Sequence, residues 1–519
     1  MSAPVKRLLW VDDEIDLLRP HLLFVQGRGY HVDAVPNGDD ALELIRLNPY
    51  DLVLLDEQMP GRSGMEVFDE LRRYDPLVPV VMVTKSEEDH TMTEAIGRRV
   101  AEYLVKPTSP RQVLSVVTRL LEGQSIQHQH VAREFAARFR QLNAELGAER
   151  GWREWAQTYS ELVDWELRLR QAGEIALLTS LETLLDDFRR EFGAFVVGNY
   201  GAWVNGASNR PPLSTDLVQQ FLLPLLGREQ HVLFVIIDCL RLDQWRTLLP
   251  LLGQFAEVEE ALYYSLLPTA TPYSRNGIFS GRFPDEIAER HPGWWEREGE
   301  GSLNAFEDEL FAEQVRRLAG PGLQVRYEKV FNAGEGEQVL HRLPGYYSQP
   351  GVTALVFNFV DLLTHGRTES SILLEVARDN EALRALSHQW FERSEALTAI
   401  REAIRQGISV LVTTDHGSIH CHRPVTVFAK RDATQNLRYK FGEDLRAESA
   451  SGAFAVDDPR VLRFPRGAPN MRYLIGMDDA FFVYPTKLRQ YQARYRGSFL
   501  HGGISPEEMV LPVALLTPR

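Results

Sequence analysis

The chain has 519 residues, too many for one hydrophobic core, so about two to four domains are expected. Its composition, 44% hydrophobic and 25% charged, excludes a disordered or fibrous protein. The formal net charge of -15 argues against a general coat for nucleic acid or for an anionic membrane, because both require a positive field.

The sequence carries no sign of export or membrane insertion. No apolar run approaches a membrane span, and the N-terminus leads directly into a charged, strand-like segment without the pattern of a signal peptide. The two cysteines, Cys239 and Cys421, are too few for a disulfide framework and fit a reducing compartment. We interpret both as small buried side chains, with thiolate ligation of a metal as the alternative. We therefore expect a cytoplasmic protein.

Residues 1–120 are predicted to form an α/β domain. Short apolar runs alternate with amphipathic stretches here, from VKRLLWVDD through YDLVLLDEQMP and PVVMVTK to AEYLVKP. Five buried strands with helices between them make a flavodoxin-like, doubly wound parallel sheet.

Polar side chains lie at the ends of four of these predicted strands. Asp12 and Asp13 follow the first strand, whereas Asp56 ends the third, Thr84 the fourth and Lys106 the fifth. The carboxyl ends of parallel strands meet at one edge of a sheet, where open α/β folds bind ligands. Three carboxylates there would repel one another unless Mg²⁺ bridged them, and that cation would polarise an incoming phosphoryl group. Each Asp alone is more typical of a helix cap or a turn, so the prediction depends on the whole set.

Together with the run DEQMPGRSG, these residues resemble the receiver domains of response regulators. The resemblance implies that Asp12 and Asp13 hold Mg²⁺ with Asp56, and that Asp56 accepts phosphate from a sensor histidine kinase. Thr84 and Lys106 would contact the phosphoryl oxygens.

The resemblance to receiver domains also concerns Tyr103 and Lys85. Tyr103, three residues before the lysine, would be the aromatic side chain that reorients, with a surface-strand aromatic as the alternative. Lys85 departs from the family pattern, since receivers usually have a small residue there. Receivers commonly pair through the face near their fourth and fifth helices, so we expect a homodimer on phosphorylation.

Residues 121–207 are predicted to form a small helical bundle. Proline is absent, and apolar residues recur every three to four positions in stretches such as VAREFAARFRQLNAEL. This bundle connects its neighbours, either as a spacer or as a transmitter of a signal. The turn-forming segment NGASNRPPLST, residues 205–215, marks its end.

Residues 208–519 are predicted to form a second, larger α/β domain, because buried runs such as HVLFVIID, TALVFNFVD and ISVLVTTDHG alternate with helical segments. Ligand-type side chains follow these runs: Asp238, Asp361 with His365 four residues on, Asp415 with His416, and His501 before two glycines. Thr271 precedes Pro272 and is predicted to cap a helix at a point where amides gather an anion. Imidazole and carboxylate ligands suit Zn²⁺ or Mn²⁺, although an Asp after a strand is more often a helix cap.

Two other groups are weaker candidates. Arg275 and Asn276 lie one turn beyond Thr271 and could contact phosphoryl oxygens or the substrate, with an exposed helix face as the alternative. His420 and His422 in the run SIHCHRP share one face of an extended segment, but two histidines alone make a poor zinc site.

The ordered C-terminal series resembles the alkaline-phosphatase superfamily, and the whole chain resembles PglZ-domain response regulators of the PorX type. The resemblance implies two zinc ions, one held by Asp361, His365 and His501, the other by Asp238, Asp415, His416 and the Thr271 oxygen. Thr271 would be the catalytic nucleophile, since a cation at its oxygen lowers the hydroxyl pKa while the second cation stabilises the departing oxygen. A threonine cannot form the aldehyde hydrate of sulfatases, so phosphate esters are the favoured substrates.

The predicted function is a response regulator with a phosphorylation-controlled, zinc-dependent phosphoesterase output. The resemblance further implies a phosphodiesterase acting on nucleotides or oligonucleotides and a link to type IX secretion. A non-catalytic signalling scaffold that binds secretion components or a sigma factor on phosphorylation is the alternative. A transcription factor is disfavoured, because no basic helix-turn-helix follows the receiver.

Overall fold

The computed structural model describes residues 6–75, 78–85, 100–295, 304–366, 371–429, 436–448, 452–468, 470–486 and 488–519. The chain divides into two compact units, residues 1–137 with 169–174 and residues 138–168 with 175–519. Each unit has its own hydrophobic core. Within the part of the chain that is described, no helix is both long and apolar enough to cross a membrane.

The first unit contains a five-stranded, all-parallel sheet of order β2-β1-β3-β4-β5. Its strands are β1 (Arg7–Val11), β2 (His31–Val35), β3 (Leu52–Asp56), β4 (Val80–Thr84) and β5 (Glu102–Val105). Its helices are α1 (Arg19–Gln26), α2 (Gly38–Leu47), α3 (Gly64–Tyr74) and the first part of α4 (Pro110–Glu145). The predicted doubly wound receiver fold is confirmed.

The central strand β3 contributes apolar side chains to both faces of this sheet. Val53 and Leu55 pack into one core cluster, while Leu52 and Leu54 pack into the other, because successive side chains point to opposite faces. Asp56 is the last residue of this strand and is fully buried. It therefore lies at the carboxyl edge of the sheet.

The second unit is built on a six-stranded mixed sheet of order β7-β19-β10-β6-β9-β8. The central strands β10, β6 and β9 are parallel, as is β8, whereas β19 is antiparallel to both of its neighbours. The strands are β6 (His231–Ile237), β7 (Ala256–Tyr264), β8 (Gln324–Val330), β9 (Gly351–Phe357), β10 (Val410–Thr413) and β19 (Val510–Pro518).

Three smaller sheets follow β10 along the chain, of order β11-β18, β14-β12-β17 and β13-β16-β15. Their strands are β11 (Ile419–Cys421), β12 (Arg423–Phe428), β13 (Tyr439–Glu443), β14 (Arg446–Ala447), β15 (Ala453–Val456), β16 (Met471–Gly476), β17 (Ala480–Val483) and β18 (Ser498–Leu500).

The second unit also contains most of the helices. They are α5 (Trp152–Gln171), α6 (Ile175–Val204), α7 (Leu223–Leu226), α8 (Leu242–Leu252), α9 (Thr271–Ser280), α10 (Pro284–Arg290), α11 (Pro292–Trp295), α12 (Glu307–Ala319), α13 (Ala333–Tyr347), α14 (Phe359–Gly366), α15 (Ser371–Val376), α16 (Asn380–Arg393), α17 (Glu395–Arg405), α18 (Leu488–Tyr495) and α19 (Pro506–Met509).

The predicted middle helices pack on the large sheet. Trp155 of α5 lies 5.0 Å from Phe188 of α6, and Phe192 of α6 stacks 6.1 Å from Tyr264 of β7, measured between ring centroids. Helix α4 continues through the boundary predicted at residue 120. Most of the helical segment thus shares a hydrophobic core with the C-terminal sheet.

Helix α9 is held against the large sheet by aromatic packing. Phe279 lies 6.2 Å from Phe234 of β6 and 5.3 Å from Phe311 of α12, between ring centroids. The helix ends at Gly281, whose φ of 60° is a left-handed conformation that favours glycine. This packing holds the C-terminal end of α9, and Thr271 lies at the opposite end of the helix.

Candidate functional site

The main candidate site lies at the carboxyl ends of the three central parallel strands. Strands β6 and β9 pair as far as Ile237 with Phe357, and β6 pairs with β10 as far as Ile236 with Thr413. Because these strands end at the same level, the residues that follow them converge. This explains why Asp238, which follows β6, comes close to residues after β10 that are far away in sequence.

The first cluster consists of Asp238, Asp415 and His416, all fully buried, with one ligand atom from each within 4.8 Å of the others. His416 Nε2 lies 3.7 Å from both Asp238 Oδ1 and Asp415 Oδ2. Thr271 Oγ1 lies 3.0 Å from the same imidazole nitrogen. The four side chains predicted for one metal site are therefore brought together.

The second cluster consists of Asp361, His365 and His501, again with one ligand atom from each within 4.8 Å of the others. The first two share one face of α14, as their spacing predicts, with His365 Nε2 3.4 Å from Asp361 Oδ1. His501 Nε2 lies 3.5 Å from the same oxygen and 2.9 Å from His365 Nε2. These are the side chains predicted for the other metal site.

The two clusters adjoin one another. The rings of His416 and His501 stack with a centroid distance of 4.2 Å and an interplanar angle of 20°. This arrangement places one histidine of each cluster side by side.

Three carboxylate oxygens indicate that these clusters suit cations. Asp238 Oδ1, Asp361 Oδ1 and Asp415 Oδ2 are buried, and none has a hydrogen-bond partner among the residues described. Buried acceptors are nearly always satisfied by a donor or by an ion, and leaving one unsatisfied is costly. Oxygen and imidazole nitrogen are ligands that divalent cations such as Zn²⁺ accept. The donor set therefore fits the predicted metals.

The electrostatics of the site support the same conclusion. Burial raises the pKa of Asp238 well above its usual range, against the pull of Arg275, and the neighbouring Asp415 adds to the rise. Burial likewise lowers the pKa of His501 well below its usual value, and nearby imidazoles add to the drop. A bound cation would offset both effects, because it favours the anionic carboxylate and the neutral imidazole.

Arg275 and Asn276 are buried, so the alternative of an exposed helix face is wrong. Arg275 Nη1 lies 2.5 Å from Asp238 Oδ2, and its Nε donates to Glu307 Oε1 at 2.6 Å. Asn358 Nδ2 donates to the same Asp238 oxygen at 2.8 Å. These contacts orient the carboxylate, leaving its other oxygen to face the cluster.

Thr271, Asp238 and Asp361 line a cavity of about 410 Å³ together with Arg275, Lys329 and Asn358. Asn276 is not among the described residues that line it. Asn358 and Lys329 were missed at the level of the sequence. The polar Asn358 directly after a buried strand was an available signal, whereas nothing in the local sequence of Lys329 distinguishes it from a surface lysine.

Thr271 lies one residue further into the helix than the predicted N-cap position. It is the first residue of α9, and Ala270 is the N-cap, without a side-chain hydrogen bond to the helix. The expected capping role is therefore wrong by one residue. The hydroxyl instead contacts His416, because α9 packs with its N-terminus against the strand ends.

The loop that carries His501 is held by a buried ion pair that the sequence analysis missed. Arg438 pairs with Glu508, and both side chains are fully buried. Glu508 Oε1 also accepts from the Gly503 amide at 2.8 Å, and Thr269 Oγ1 accepts from the Gly502 amide at 3.1 Å. The ion pair thus holds Gly503, and Thr269 holds Gly502.

Replacing Arg438 with methionine is expected to lower the free energy of unfolding of this unit by about 3–5 kcal/mol, because a buried carboxylate loses its counter-charge. Denaturant unfolding of the full chain measures the change. The double variant Arg438→Met, Glu508→Gln leaves no unpaired charge and should recover much of the loss. A single variant within about 1 kcal/mol of wild type would contradict this account.

The other candidate ligands do not form a comparable group. His420 Nε2 lies 2.7 Å from the Gly497 carbonyl oxygen and His422 Nε2 lies 3.2 Å from His420 Nδ1, but within the described ranges they belong to no cluster of three or more metal-ligand residues. Cys239 and Cys421 are both buried, and burial raises the pKa of Cys421 to about 12. The predicted buried cysteines are confirmed.

The receiver site is a separate cluster in the first unit. Asp12, Asp13 and Asp56 have one carboxylate oxygen each within 4.8 Å of the others, and only Asp13 is exposed. Lys106 Nζ lies 2.8 Å from both Asp12 Oδ2 and Asp56 Oδ2. Burial raises the pKa of Asp56, the lysine opposes that rise, and Asp12 adds to it. Three carboxylates at one sheet edge suit a hard cation such as Mg²⁺.

The remaining receiver residues lie on neighbouring strands. Thr84 is the last residue of β4, is buried and pairs with Val105, while Tyr103 pairs with Met82. The Tyr103 ring is half-buried, and its hydroxyl has no hydrogen-bond partner in the portion of the chain that is described. Lys85 Nζ lies 3.7 Å from Glu14 Oε2 at the exposed surface.

Comparisons with known proteins agree with this architecture. Family profiles match residues 8–118 as a response regulator receiver domain, residues 125–204 as a PorX response regulator linker domain, and residues 217–516 as a BREX system PglZ alkaline phosphatase-like domain. The last match covers more than half of the chain.

Individual relatives match the receiver segment. The transcriptional regulatory protein ResD of Bacillus subtilis is 34% identical over 119 residues, 23% of this chain and 49% of that protein. BaeR of Escherichia coli is 33% identical over 115 residues, 22% of this chain and 48% of that protein. The chain thus spans about half the length of these curated relatives.

Solved structures match the same segment. A CheY-like receiver domain from Methanospirillum hungatei has 24% identity and a TM-score of 0.23, covering 24% of this chain and 98% of that one. The response regulator TrrA from Thermotoga maritima has 33% identity and a TM-score of 0.21, covering 22% of this chain and all of that one.

The order of the matched domains follows the order of the sites, with the carboxylate cluster in the receiver segment and the two Asp-His clusters in the PglZ segment. The linker segment between them matches the PorX linker domain. The chain therefore belongs to the PglZ family and has the domain composition of a PorX-type response regulator.

Proposed function

We propose that the PglZ domain is a phosphoesterase that uses two divalent cations, with Zn²⁺ as the favoured ion, and that the receiver controls its activity. The observation that carries this proposal is the contact between Thr271 Oγ1 and His416 Nε2, at 3.0 Å, beside buried carboxylate oxygens that have no hydrogen-bond partner in the described ranges. A hydroxyl held among such ligands is typical of an activated nucleophile.

Thr271 Oγ1 loses its proton to solvent and attacks phosphorus, forming a phosphothreonine ester. The bond from phosphorus to the leaving oxygen breaks, and that oxygen takes a proton from solvent to depart as the alcohol. His416 Nε2 lies 3.0 Å from the hydroxyl oxygen, so both atoms would be ligands of one bound cation, and the N-terminus of α9 contributes partial positive charge where the phosphoryl group binds. Water then attacks the same phosphorus and breaks its bond to Thr271 Oγ1, which restores the hydroxyl and releases a phosphate monoester when the substrate is a diester. Bound cations would supply Lewis-acid charge at the nucleophile and at the leaving oxygen.

Two cationic side chains of this cavity, Arg275 and Lys329, have different roles. Arg275 orients the Asp238 carboxylate, as its buried contacts indicate. Lys329 Nζ lies 3.6 Å from Glu307 and lines the same cavity, where its charge would favour an anionic substrate. We further propose a phosphodiester of a nucleotide or oligonucleotide as the substrate, on the strength of the family resemblance.

Hydrolysis assays test this function directly. The full-length protein, loaded with Zn²⁺ and then with Mn²⁺, is assayed on bis(p-nitrophenyl) phosphate, p-nitrophenyl phosphate and a dinucleotide. We expect turnover with at least one ester, and removal of the metal by a chelator should abolish it. Absence of turnover on all three esters, with metal bound, would contradict the proposal.

In the receiver, we propose that a sensor histidine kinase phosphorylates Asp56 with the help of Mg²⁺ bound by Asp12 and Asp13. Lys106, which contacts Asp12 and Asp56, would then bind the new phosphoryl group, with Thr84 as a second contact. The match to the PorX linker domain supports a further proposal, a link to type IX secretion through its components or a sigma factor.

Phosphorylation is expected to convert the full chain from a monomer to a homodimer. Size-exclusion chromatography with light scattering, with and without beryllofluoride and Mg²⁺, measures the change. Asp56→Asn should remove the response because the acceptor is lost, whereas Asp39→Asn, at a surface carboxylate paired with Arg62, should keep it. A dimer that forms equally in Asp56→Asn would refute the expectation.

A further inference from the structure

A second cavity, of about 580 Å³, adjoins the one that contains Thr271. Phe331 lines both cavities. Phe359 of the second cavity lies in the same helix α14 as the candidate metal ligand Asp361, two residues away. A ligand could therefore reach from one cavity into the other.

The wall of the second cavity carries a stacked pair of aromatic rings. The rings of Phe359 and Trp390 are parallel, with a centroid distance of 4.7 Å and an interplanar angle of 6°. Phe359 is 36% exposed and the neighbouring Phe331 is 53% exposed. We name Phe331, Phe359 and Trp390 the aromatic platform. Large apolar side chains exposed beside a polar site are typical of a binding surface.

The rim of this cavity is polar. Gln389, Arg393 and Glu395 line it, so amide, guanidinium and carboxylate groups lie beside the aromatic rings. A flat apolar surface edged by hydrogen-bonding groups matches a nucleobase, which has a π-face and heteroatoms along its edge. A lipid chain would leave these polar groups without partners.

The volume and the charge distribution agree with a nucleotide. Small-molecule sites commonly enclose about 300–1,000 Å³, and this cavity falls within that range. The adjoining cavity contains Lys329 and the candidate metal ligands, which suit a phosphate. The aromatic platform would then receive the base attached to that phosphate.

We propose that the aromatic platform is a nucleobase-binding subsite of the candidate active site. The base of a nucleotide ester extends the Phe359–Trp390 stack at an outer ring face while its phosphate lies beside Thr271. The proposal rests on the phosphoesterase function and specifies its substrate class. Since every base has a π-face, this subsite accepts different bases.

Binding without turnover tests the subsite. Isothermal titration uses the full-length, Zn²⁺-loaded protein with Thr271→Val in all samples, and compares AMP with ribose 5-phosphate, which lacks the base. We expect AMP to bind at least about tenfold more tightly, in line with the stacking of one base on aromatic side chains. Equal affinities for the two ligands would overturn the proposal.

Variants of the aromatic platform test which side chains produce the preference for AMP over ribose 5-phosphate. Phe359→Ala and Trp390→Ala should each reduce the preference for AMP severalfold, whereas Trp390→Phe, which retains a ring, should keep most of it. Phe428→Ala is the matched control, because Phe428 is also 36% exposed and does not line this cavity. A preference that survives both alanine variants would overturn the subsite. Because ester hydrolysis is measured separately, failure of the phosphoesterase function remains distinguishable from failure of the subsite.

Discussion

Replacing Thr271 with valine is expected to lower the rate of phosphoester hydrolysis by about a thousandfold or more, as is typical when a nucleophile is removed. Valine has nearly the same shape as threonine but no hydroxyl, so the atom 3.0 Å from His416 Nε2 is lost. The side chain is only partly buried, and the fold should be unaffected. Steady-state kinetics on bis(p-nitrophenyl) phosphate, with metal content measured in the same preparation, gives the result.

Thr271→Ser is the matched control for this prediction. Serine retains the hydroxyl and should keep activity within about tenfold of wild type, with the loss reflecting looser orientation of the nucleophile. If valine and serine variants were equally active, another group would have to be the nucleophile. A melting temperature unchanged by both replacements would exclude unfolding as the cause of lost activity.

Replacing His501 with alanine is expected to remove one of two bound metal equivalents and to reduce hydrolysis by more than about a hundredfold. Loss of a side chain that only hydrogen-bonds to a metal ligand already costs roughly 10–100-fold in metal affinity or activity, and His501 is a candidate direct ligand. His501 Nε2 lies 3.5 Å from Asp361 Oδ1 and 2.9 Å from His365 Nε2. Without it, Asp361 and His365 would be the two remaining ligands of this cluster. Metal analysis after gel filtration measures the stoichiometry.

His422→Ala serves as the control for the metal experiment. His422 is exposed and belongs to no cluster of metal ligands in the part of the chain that is described. This variant should keep the wild-type metal content and rate. Full metal occupancy in His501→Ala would show that the cluster around Asp361 is not a metal site.

Much of the site could be predicted because its ligands follow buried strands. Apolar runs such as HVLFVII and VLVT locate β6 and β10; Asp238 comes directly after the first and Asp415 two residues after the second. The spacing of four residues between Asp361 and His365 places both on one helical face. These are local relations, which a sequence expresses directly.

Other features depended on parts of the chain that are distant in sequence. The exposed helix face that was the alternative for Arg275 is wrong, because the side chain is buried between Asp238 and Glu307. The pair of Arg438 and Glu508 links residues 70 positions apart and supports the loop after His501. No periodicity or local motif predicts which distant side chains will pair, because the packing of helices and loops determines those contacts.

The sequence by itself determined the alternation of strands and helices, the residues that follow each strand, and the identity of the candidate ligands. Hydrophobic periodicity and side-chain chemistry are properties of neighbouring residues, so they can be recognised without a fold. Only the tertiary structure decided that Thr271 meets His416, that the rings of His416 and His501 stack, and that an aromatic platform adjoins the site. Those contacts join elements separated along the chain, and their geometry depends on the packing of the whole domain.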